Sequence, residues 1–137
     1  MKGFTLIELL IVMAILGILS AIGISNFQMA RLKARDVARK SDLATIAKSL
    51  EAYVNDHKQY PSAPLPDPFV DPAGTVYAAK LPSDPGGYNY YYVKSGTGYI
   101  LYAHLENTQD PTIFTPATAG CGGTGNTCNY KITSSNQ

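Results

Sequence analysis

The sequence predicts an α+β protein, in which one long amino-terminal α-helix packs its second half on a small antiparallel β-sheet. Residues 4–24 are almost wholly apolar, residues 43–54 place apolar side chains at helical spacing, and residues 88–133 include stretches rich in tyrosine and β-branched residues. The mean hydropathy of −0.05 is therefore an average over two different parts of the 137-residue chain. We divide it into residues 1–3, 4–27, 28–58 and 59–137.

Residues 4–24 are long enough to cross a membrane. Twenty-one residues of α-helix extend roughly 31 Å, and the hydrocarbon core of a bilayer is about 30 Å thick. A cleavable secretory signal would need a shorter apolar run and a small-residue cleavage site, and "SNFQMARLK" contains no convincing one. We expect a membrane-spanning helix over residues 4–27 that continues into the next segment.

Glu8 is the one formally charged residue between Phe4 and Gln28. An ionised carboxylate costs on the order of 2.5 to 3.5 kcal/mol at the bilayer centre, and less near its edge. Either Glu8 has a positively charged partner, or it lies in the headgroup region and needs none. The residues alone leave both interpretations open.

The stretch "GFTLIELLIVMAILGILSAI" resembles the amino-terminal signature of type IV prepilins and of the pseudopilins of type II secretion. The resemblance implies that a prepilin peptidase cuts between Gly3 and Phe4 and methylates the new amine of Phe4. It also implies that Glu8 faces the Phe4 amine of a neighbouring subunit during assembly on an inner-membrane platform. Such a pair is favourable because an acid and an ammonium attract strongly when both leave water.

Three small residues, Gly17, Ala21 and Ser25, follow one another at four-residue spacing. This spacing lets membrane helices approach closely, which makes the three residues candidates for helix packing in a filament. The alternative is that they reflect the ordinary composition of membrane helices. Ser25 stands where most members of the family have a proline, which would kink or open the helix.

The flanking charges and the resemblance disagree about membrane orientation. Lys2 lies before the apolar segment and Arg31, Lys33 and Arg35 follow it, so the positive-inside rule would place the head in the cytoplasm. The resemblance implies an external head, and a pair of cysteines suits an oxidising compartment. We expect a single-pass precursor in the inner membrane that moves into an extracellular pilus or a periplasmic pseudopilus.

Residues 28–58 continue as an amphipathic helix. Its apolar stripe comprises Leu43, Ile46, Ala47, Leu50 and Val54 and should cover a sheet. Pro61 ends the helical pattern, and Asn55, His57 and Tyr60 suit a frayed last turn. The helix from Phe4 to His57 would be roughly 80 Å long.

Residues 59–137 are expected to form the β head. Residues 61–85 contain seven of the nine prolines, so we predict a loop with one short turn of helix around Val76 to Lys80. The stretches "YNYYYVK" and "GYILYAHLE" read as strands joined by the turn "SGTG", and "NYKIT" at 129–133 is a third strand.

The head also resembles known proteins, over "KLPSDPGGYNYYYVKSGTGYILYAHLEN", which is similar to the head of major-type pseudopilins. It departs from them at Gly86 and Gly87, where a Trp-Gly pair is usual, and we find no clear acidic calcium loop. The ending "CGGTGNTCNYKITSSNQ" is more like the carboxyl-terminal disulfide region of pilins.

A disulfide between Cys121 and Cys128 is predicted, and it should contribute about 2 kcal/mol. The alternatives are free thiols or half of a metal site, for which only His57 and His104 could add ligands. Neither histidine lies at finger-like spacing. We find no nucleophile motif and no phosphate loop, and expect no catalytic residue, metal or cofactor.

Charge is distributed unevenly along the soluble part. Residues 28–50 carry a net charge of +4, whereas residues 51–137 carry −3. The basic band could bind anionic lipid headgroups before assembly, or acids of neighbouring subunits within a filament. DNA is a third candidate ligand, although the band would be largely buried between subunits. The positive residues between 31 and 40 are Arg31, Lys33, Arg35, Arg39 and Lys40.

The functional prediction is a structural subunit of a type IV pilus, a homopolymer built through the amino-terminal helix after cleavage at Gly3. Head-to-tail contacts that do not close produce such an open fibre. The alternative is a major-type pseudopilin of a type II secretion system. A membrane-anchored binding module that never polymerises would leave the arrangement of Gly3, Phe4 and Glu8 unexplained.

Overall fold

The computed structural model describes residues 3–122 and 127–134, apart from the side chain of Ser25. Met1 and Lys2 of the predicted leader, and the Ser25 side chain of the predicted helix-packing ladder, therefore lie outside the described residues. Helix α1 spans Leu6–His57, and short antiparallel strands follow it, which confirms the α+β class. The chain divides into two compact units, Met1–Ala34 and Arg35–Gln137.

The first unit is helical from Leu6 onward, and almost all its described side chains are exposed. Large apolar side chains such as Leu6, Ile7 and Met13 are each at least 66% exposed. Helix α1 is long and apolar enough in this part to span a membrane. Such side chains require lipid or other protein chains around them, because none of the described residues of this unit covers them.

The second unit has its core on the predicted helix stripe. Leu43, Ile46 and Leu50 are buried, and Ala47 and Val54 pack against the same cluster. The opposite wall of the core is a three-stranded antiparallel sheet. The periodic pattern of the sequence therefore identified the buried face of the helix correctly.

Seven short strands are present in the described residues. The central sheet has the order β3-β4-β7, with Tyr92, Leu101 and Ile132 in register across it. Its three strands confirm the three predicted ones, and a two-residue turn at Gly96 and Thr97 joins the first two. The strands are β1 (Phe69–Val70), β2 (Val76–Ala78), β3 (Tyr91–Ser95), β4 (Gly98–Ala103), β5 (Thr118–Ala119), β6 (Thr127–Cys128) and β7 (Tyr130–Thr133).

The predicted helical turn around Val76 to Lys80 is wrong, because Val76–Ala78 forms β2 and pairs with β1. The turn between these strands explains the difference. The Gly74 N–H donates to the Asp71 carbonyl at 3.0 Å, and Gly74 has φ +90°, which glycine adopts without strain. The Asp71 carboxylate accepts a second bond from the Thr75 N–H at 2.8 Å. This turn, which begins at Asp71, joins β1 and β2 into a hairpin within the proline-rich segment.

The carboxyl end of α1 is held in place rather than frayed. Lys58 adopts φ 60°, and its N–H donates to the Val54 carbonyl at 2.8 Å, which ends the helix. The His57 ring stacks on Tyr53 with centroids 4.2 Å apart, and its Nε2 lies 3.0 Å from an Asp71 carboxylate oxygen. The β1–β2 hairpin is thereby fastened to the last turn of the helix.

The segment after β4 returns along the head to a second small ladder, β5–β6. Cys121 and Cys128 form a disulfide, and both residues are fully buried. The Asn89 N–H donates to the Cys121 carbonyl at 2.6 Å, so the disulfide is attached to the segment before β3. Residues 123–126, inside the disulfide loop, are not described.

Candidate assembly site

Thr5 and Glu8 form a capping box at the start of α1. The Thr5 N–H donates to Glu8 Oε2 at 2.8 Å, and the Thr5 hydroxyl donates to the same oxygen at 2.6 Å. In return the Glu8 N–H approaches Thr5 Oγ1 at 3.4 Å. A threonine followed three residues later by a glutamate is the sequence signature of this motif, so the capping box could have been predicted from Thr5 and Glu8.

The structure thus gives the Glu8 carboxylate a position within its own chain. It bonds to the residue that directly follows Phe4, so the carboxylate lies at the amino-terminal end of the helix rather than along its side. Phe4 itself is 88% exposed. Glu8 therefore has a third role, which is to cap the helix, besides the two interpretations given above, a pair with a neighbouring subunit or a position among headgroups.

The remaining residues predicted for assembly lie on the exposed helix. Gly17 and Ala21 are exposed, and a Cβ atom added to Gly17 would meet nothing within 4 Å. The described part of the first unit therefore offers no internal packing role for the glycine.

The second unit contains a buried cluster of ions centred on Arg39, which is fully buried. Arg39 Nε donates to Asp84 Oδ2 at 2.6 Å, Nη1 donates to Asp36 Oδ1 at 2.7 Å, and Nη2 lies 2.6 Å from Glu106 Oε1. A buried guanidinium is tolerated only when its donors are paired, and here three carboxylates surround it. The cluster connects the helix to the turn at Asp84 and to the segment after β4.

Further bonds extend this cluster along one side of the helix. Arg35 pairs with Glu106, and Lys40 Nζ donates to Asp110 Oδ2 at 2.7 Å. The Asp36 carboxylate accepts the backbone N–H groups of Glu106 at 2.9 Å and Asn107 at 2.8 Å. The helix therefore binds both the side chains and the backbone of the segment that follows β4.

These contacts correct the interpretation of the basic band. Arg35, Arg39 and Lys40 bind carboxylates of their own head, so they are not free charges for lipid, DNA or neighbouring subunits. A sequence signal for this was present but missed. Positions 36 and 39 continue the stripe of Leu43, Ile46 and Leu50 at helical spacing, which places these charges on the buried face.

Gly86 is required by the same cluster. A Cβ atom at this position would clash with Arg39 Nη2 and lie 3.0 Å from Glu106 Oε1. Gly86 stands where a tryptophan is usual in the major-type pseudopilins that the head resembles. In this chain the guanidinium occupies the space next to the turn, so a large side chain at position 86 has no room.

The ion pairs shift the acids strongly toward the charged form. Hydrogen bonding from Arg35 lowers the pKa of Glu106 to about 2, against its burial, and hydrogen bonding from Lys40 lowers the pKa of Asp110 to about 2. Burial raises the pKa of Asp84, but the bonds from Arg39 and from the Gly86 N–H outweigh it and lower that pKa.

Both histidines contact other segments of the head. His57 is part of the helix cap, and His104 Nδ1 lies 2.7 Å from the Thr127 carbonyl while its ring stacks on Tyr88. Residues 3–122 and 127–134 contain no group of three or more potential metal ligands.

The protein has an exposed apolar helix that begins with a capping box of Thr5 and Glu8, and its head packs on the second half of that helix. These features define a membrane-anchored prepilin-like subunit. Residues 1–24 match the prokaryotic N-terminal methylation motif. The chain is 36% identical over 107 residues to the type II secretion system core protein G of Pseudomonas aeruginosa, covering 70% of this chain and 75% of that protein. No solved structure gives a significant match.

Two further relatives represent both branches of the resemblance. The core protein G of Pectobacterium carotovorum is 32% identical over 106 residues, covering 69% of this chain and 68% of that protein. The type IV wide pilus major component PilA4 of Thermus thermophilus is 48% identical over 61 residues, covering 44% of this chain and 47% of that protein. The chain belongs to the family of type IV pilins and type II secretion pseudopilins. It is a structural subunit rather than an enzyme, made as an inner-membrane precursor that enters a pilus or pseudopilus.

The low pKa of Glu106 predicts a specific dependence of head stability on pH. The unfolded carboxyl titrates near its ordinary value of 4.5 and the folded one near 2, so the unfolded state binds more protons between these values. We expect the melting temperature of the full chain in neutral detergent, followed by circular dichroism, to fall between about pH 5 and pH 2. Glu106→Gln should lower it at pH 7, and the difference from the wild type should shrink toward pH 2.

The control for this experiment is Asp67→Asn, which removes an exposed carboxylate that accepts one bond, from the Leu81 N–H. It should not alter the pH profile. A difference between Glu106→Gln and the wild type that stays constant from pH 7 to pH 2 would contradict the role of the ion pair.

Proposed function

We propose that the protein is a major-type pseudopilin of a type II secretion system, whose processed subunits polymerise into a periplasmic filament. Residues 1–3 are then the leader, residues 4–27 the segment that leaves the membrane for the filament core, and residues 59–137 the displayed head. The extent of the similarity to core protein G supports this more strongly than the type IV pilus that we predicted from the sequence.

The share of the chain that aligns with each relative favours the pseudopilin over the pilus subunit. The 69 to 70% of the chain aligned with core protein G relatives is more than the residues up to His57 can supply, so it includes part of the head. The 44% aligned with PilA4 is about the length of residues 1–57. Because all such subunits need a similar membrane helix, similarity in the head discriminates better between the two assemblies.

Assembly in this proposal depends on Phe4 and Glu8. Cleavage after Gly3 by a prepilin peptidase creates an amine at Phe4, which is methylated and stays positively charged. In a filament the carboxylate of Glu8 pairs with this amine of a neighbouring subunit. The capping box holds the carboxylate at the amino-terminal end of the helix, which is where an incoming amine would meet it.

The other proposed partners follow from the exposed part of α1. Gly17, Ala21 and Ser25 would allow close approach of neighbouring helices, and membrane lipids would surround the same surface before assembly. Arg31 and Lys33, which make no ion pair in the described structure, lie next to the apolar segment and suit anionic headgroups. An inner-membrane platform would extract the subunit from the membrane. DNA is a weaker candidate, because Arg35, Arg39 and Lys40 of the basic band are paired with carboxylates of the head.

The second candidate is a type IV pilus subunit. The PilA4 similarity supports it, as does the buried disulfide between Cys121 and Cys128, which resembles the carboxyl-terminal region of pilins. Deletion of the gene separates the two assemblies. We expect enzymes normally found in the medium to accumulate in the periplasm, and wild-type protein to restore their export. Normal export together with loss of surface fibres and of twitching would favour the pilus instead.

The processed protein should begin at methylated Phe4. Residues 1–3 include the basic Lys2 and end in Gly3, and the methylation motif covers them. Intact-mass spectrometry of sheared or purified filaments is expected to show a chain that lacks residues 1–3 and carries one methyl group. Retention of Met1 in filaments would disprove the cleavage.

Two substitutions of Glu8 separate charge pairing from capping. Glu8→Gln removes the charge but keeps a side chain that can serve in a capping box, whereas Glu8→Val removes both. If pairing with Phe4 drives assembly, neither variant should form fibres. Both should still insert into the membrane, because removal of the charge makes the free energy of insertion more favourable by up to about 3 kcal/mol. If the capping box alone matters, Glu8→Gln should assemble normally.

The measurement is fibre yield at equal membrane level of subunit, with Leu9→Val as the control for a change in the apolar segment. Normal yield from Glu8→Val would leave only the headgroup interpretation. In mixed expression, Glu8→Val should enter fibres beside wild-type chains more readily than it polymerises alone, since it still presents its own Phe4 amine.

A further inference from the structure

A groove lies in the head beside β3, between the strand and the proline-rich segment. It has a volume of about 660 Å³. Ile46 of the helix and Leu101 of β4 form its base, and the half-buried Leu65 and Leu81 form its far wall. Neither the family match nor the relatives assign a role to this groove.

The groove follows the edge of β3 rather than one face of the sheet. Successive residues of a strand point to opposite faces, yet every residue from Tyr90 to Lys94 lines the groove. β3 is also the outer strand in the order β3-β4-β7. In an antiparallel pair half of the backbone N–H and C=O groups point away from the partner strand, so those of β3 face the groove.

This combination suits an extended peptide better than a compact small molecule. A row of backbone donors and acceptors at strand spacing binds a further strand by main-chain hydrogen bonds. The apolar base then takes every second side chain of that strand. The groove volume of about 660 Å³ is within the range of ordinary ligand pockets, so the groove can hold only a few residues of such a peptide.

Charge indicates which peptide would bind. The Lys94 side chain is exposed beside the groove and makes no hydrogen bond or ion pair in the part of the chain that the structure describes. All seven acids of residues 51–137 accept bonds from other groups of the chain and none pairs with Lys94, so a peptide carboxylate would add the complementary charge at this point of the groove. Those acids are Glu51, Asp56, Asp67, Asp71, Asp84, Glu106 and Asp110.

We propose that the β3 edge is a docking site for an extended segment of another protein, which adds as a strand and places an acidic residue against Lys94. Lys94 and the buried Tyr92 lie on the same face of the sheet, two residues apart. The bound segment therefore carries an aliphatic residue over Ile46 and Leu101, and its acidic residue two positions further along. This goes beyond the assembly function, which resides in the amino-terminal helix.

The probe for this site is the fluorescein-labelled peptide Val-Thr-Val-Thr-Glu, titrated by fluorescence anisotropy onto the full chain in phosphatidylcholine nanodiscs. We expect saturable binding that weakens at least tenfold with Lys94→Glu. The same loss is expected when alternate backbone nitrogens of the peptide are methylated, because methylation removes the N–H groups that pair with β3. Lys80→Glu, an exposed charge change outside the groove, should bind the peptide as the wild type does.

Three outcomes would overturn the proposal. Absence of binding to the wild type at millimolar peptide excludes a strand-docking edge. Equal binding of the methylated peptide shows an apolar cleft that does not use the β3 backbone. Loss of fibre yield with Lys94→Glu but not with Lys80→Glu, with cross-links between copies at β3, assigns the edge to a second copy of this chain instead.

Discussion

The burial of Arg39 is the constraint on which the head depends, because a guanidinium removed from water must keep every charged partner that surrounds it. Asp36, Asp84 and Glu106 supply those partners from the helix, from the turn before β3 and from the segment after β4. Removal of one of them would leave a buried guanidinium N–H without its acceptor, which costs more than the bond contributes. The network therefore sets where these three segments meet, and it requires the small residue Gly86 beside it.

Tyrosine hydroxyls repeat the same arrangement further along the helix. The Tyr90 hydroxyl donates to Asp42 at 2.6 Å, and the Tyr60 hydroxyl donates to Glu51 at 3.0 Å. The Tyr60 ring is buried in the core, and the Tyr90 ring is partly buried against it. A tyrosine can thus fill the apolar interior with its ring and satisfy a helix carboxylate with its hydroxyl. Tyr77 makes a third bond of this kind, to Asp56 at 3.0 Å. Most helix charges from residue 35 onward therefore bond within the head, whereas the apolar side chains of residues 6–29 stay exposed.

At the other end of the helix, a short polar motif reconciles a carboxylate with an apolar segment. Thr5 satisfies Glu8 while the subunit is alone, which lowers the cost of holding the acid near lipid. The same bonds keep the carboxylate at the helix terminus, next to the residue that cleavage would turn into an amine. Local capping and pairing between subunits are therefore compatible, since a carboxylate has acceptor sites for more than one donor.

The sequence by itself determined the elements whose signals repeat along the chain. Apolar spacing located the membrane segment and the buried face with Leu43 and Leu50, and tyrosine-rich runs located β3, β4 and β7. The threonine and glutamate of the capping box were readable from the sequence as well. These features follow from local periodicity and nearby hydrogen bonds, which need no knowledge of distant residues.

Only the tertiary structure decided the partners of the charged residues. Arg39 and Asp84 are 45 residues apart in the chain, and Arg35 and Glu106 are 71 apart, so no local pattern joins them. The strand at Val76 likewise depends on Asp71, which the hairpin turn and His57 hold from two sides. The helical stripe that continues through positions 36 and 39 indicates that both charges are buried, but it does not show which distant carboxylates compensate Arg39. That compensation exists only after the chain has folded, because the desolvation of both groups happens in the same step.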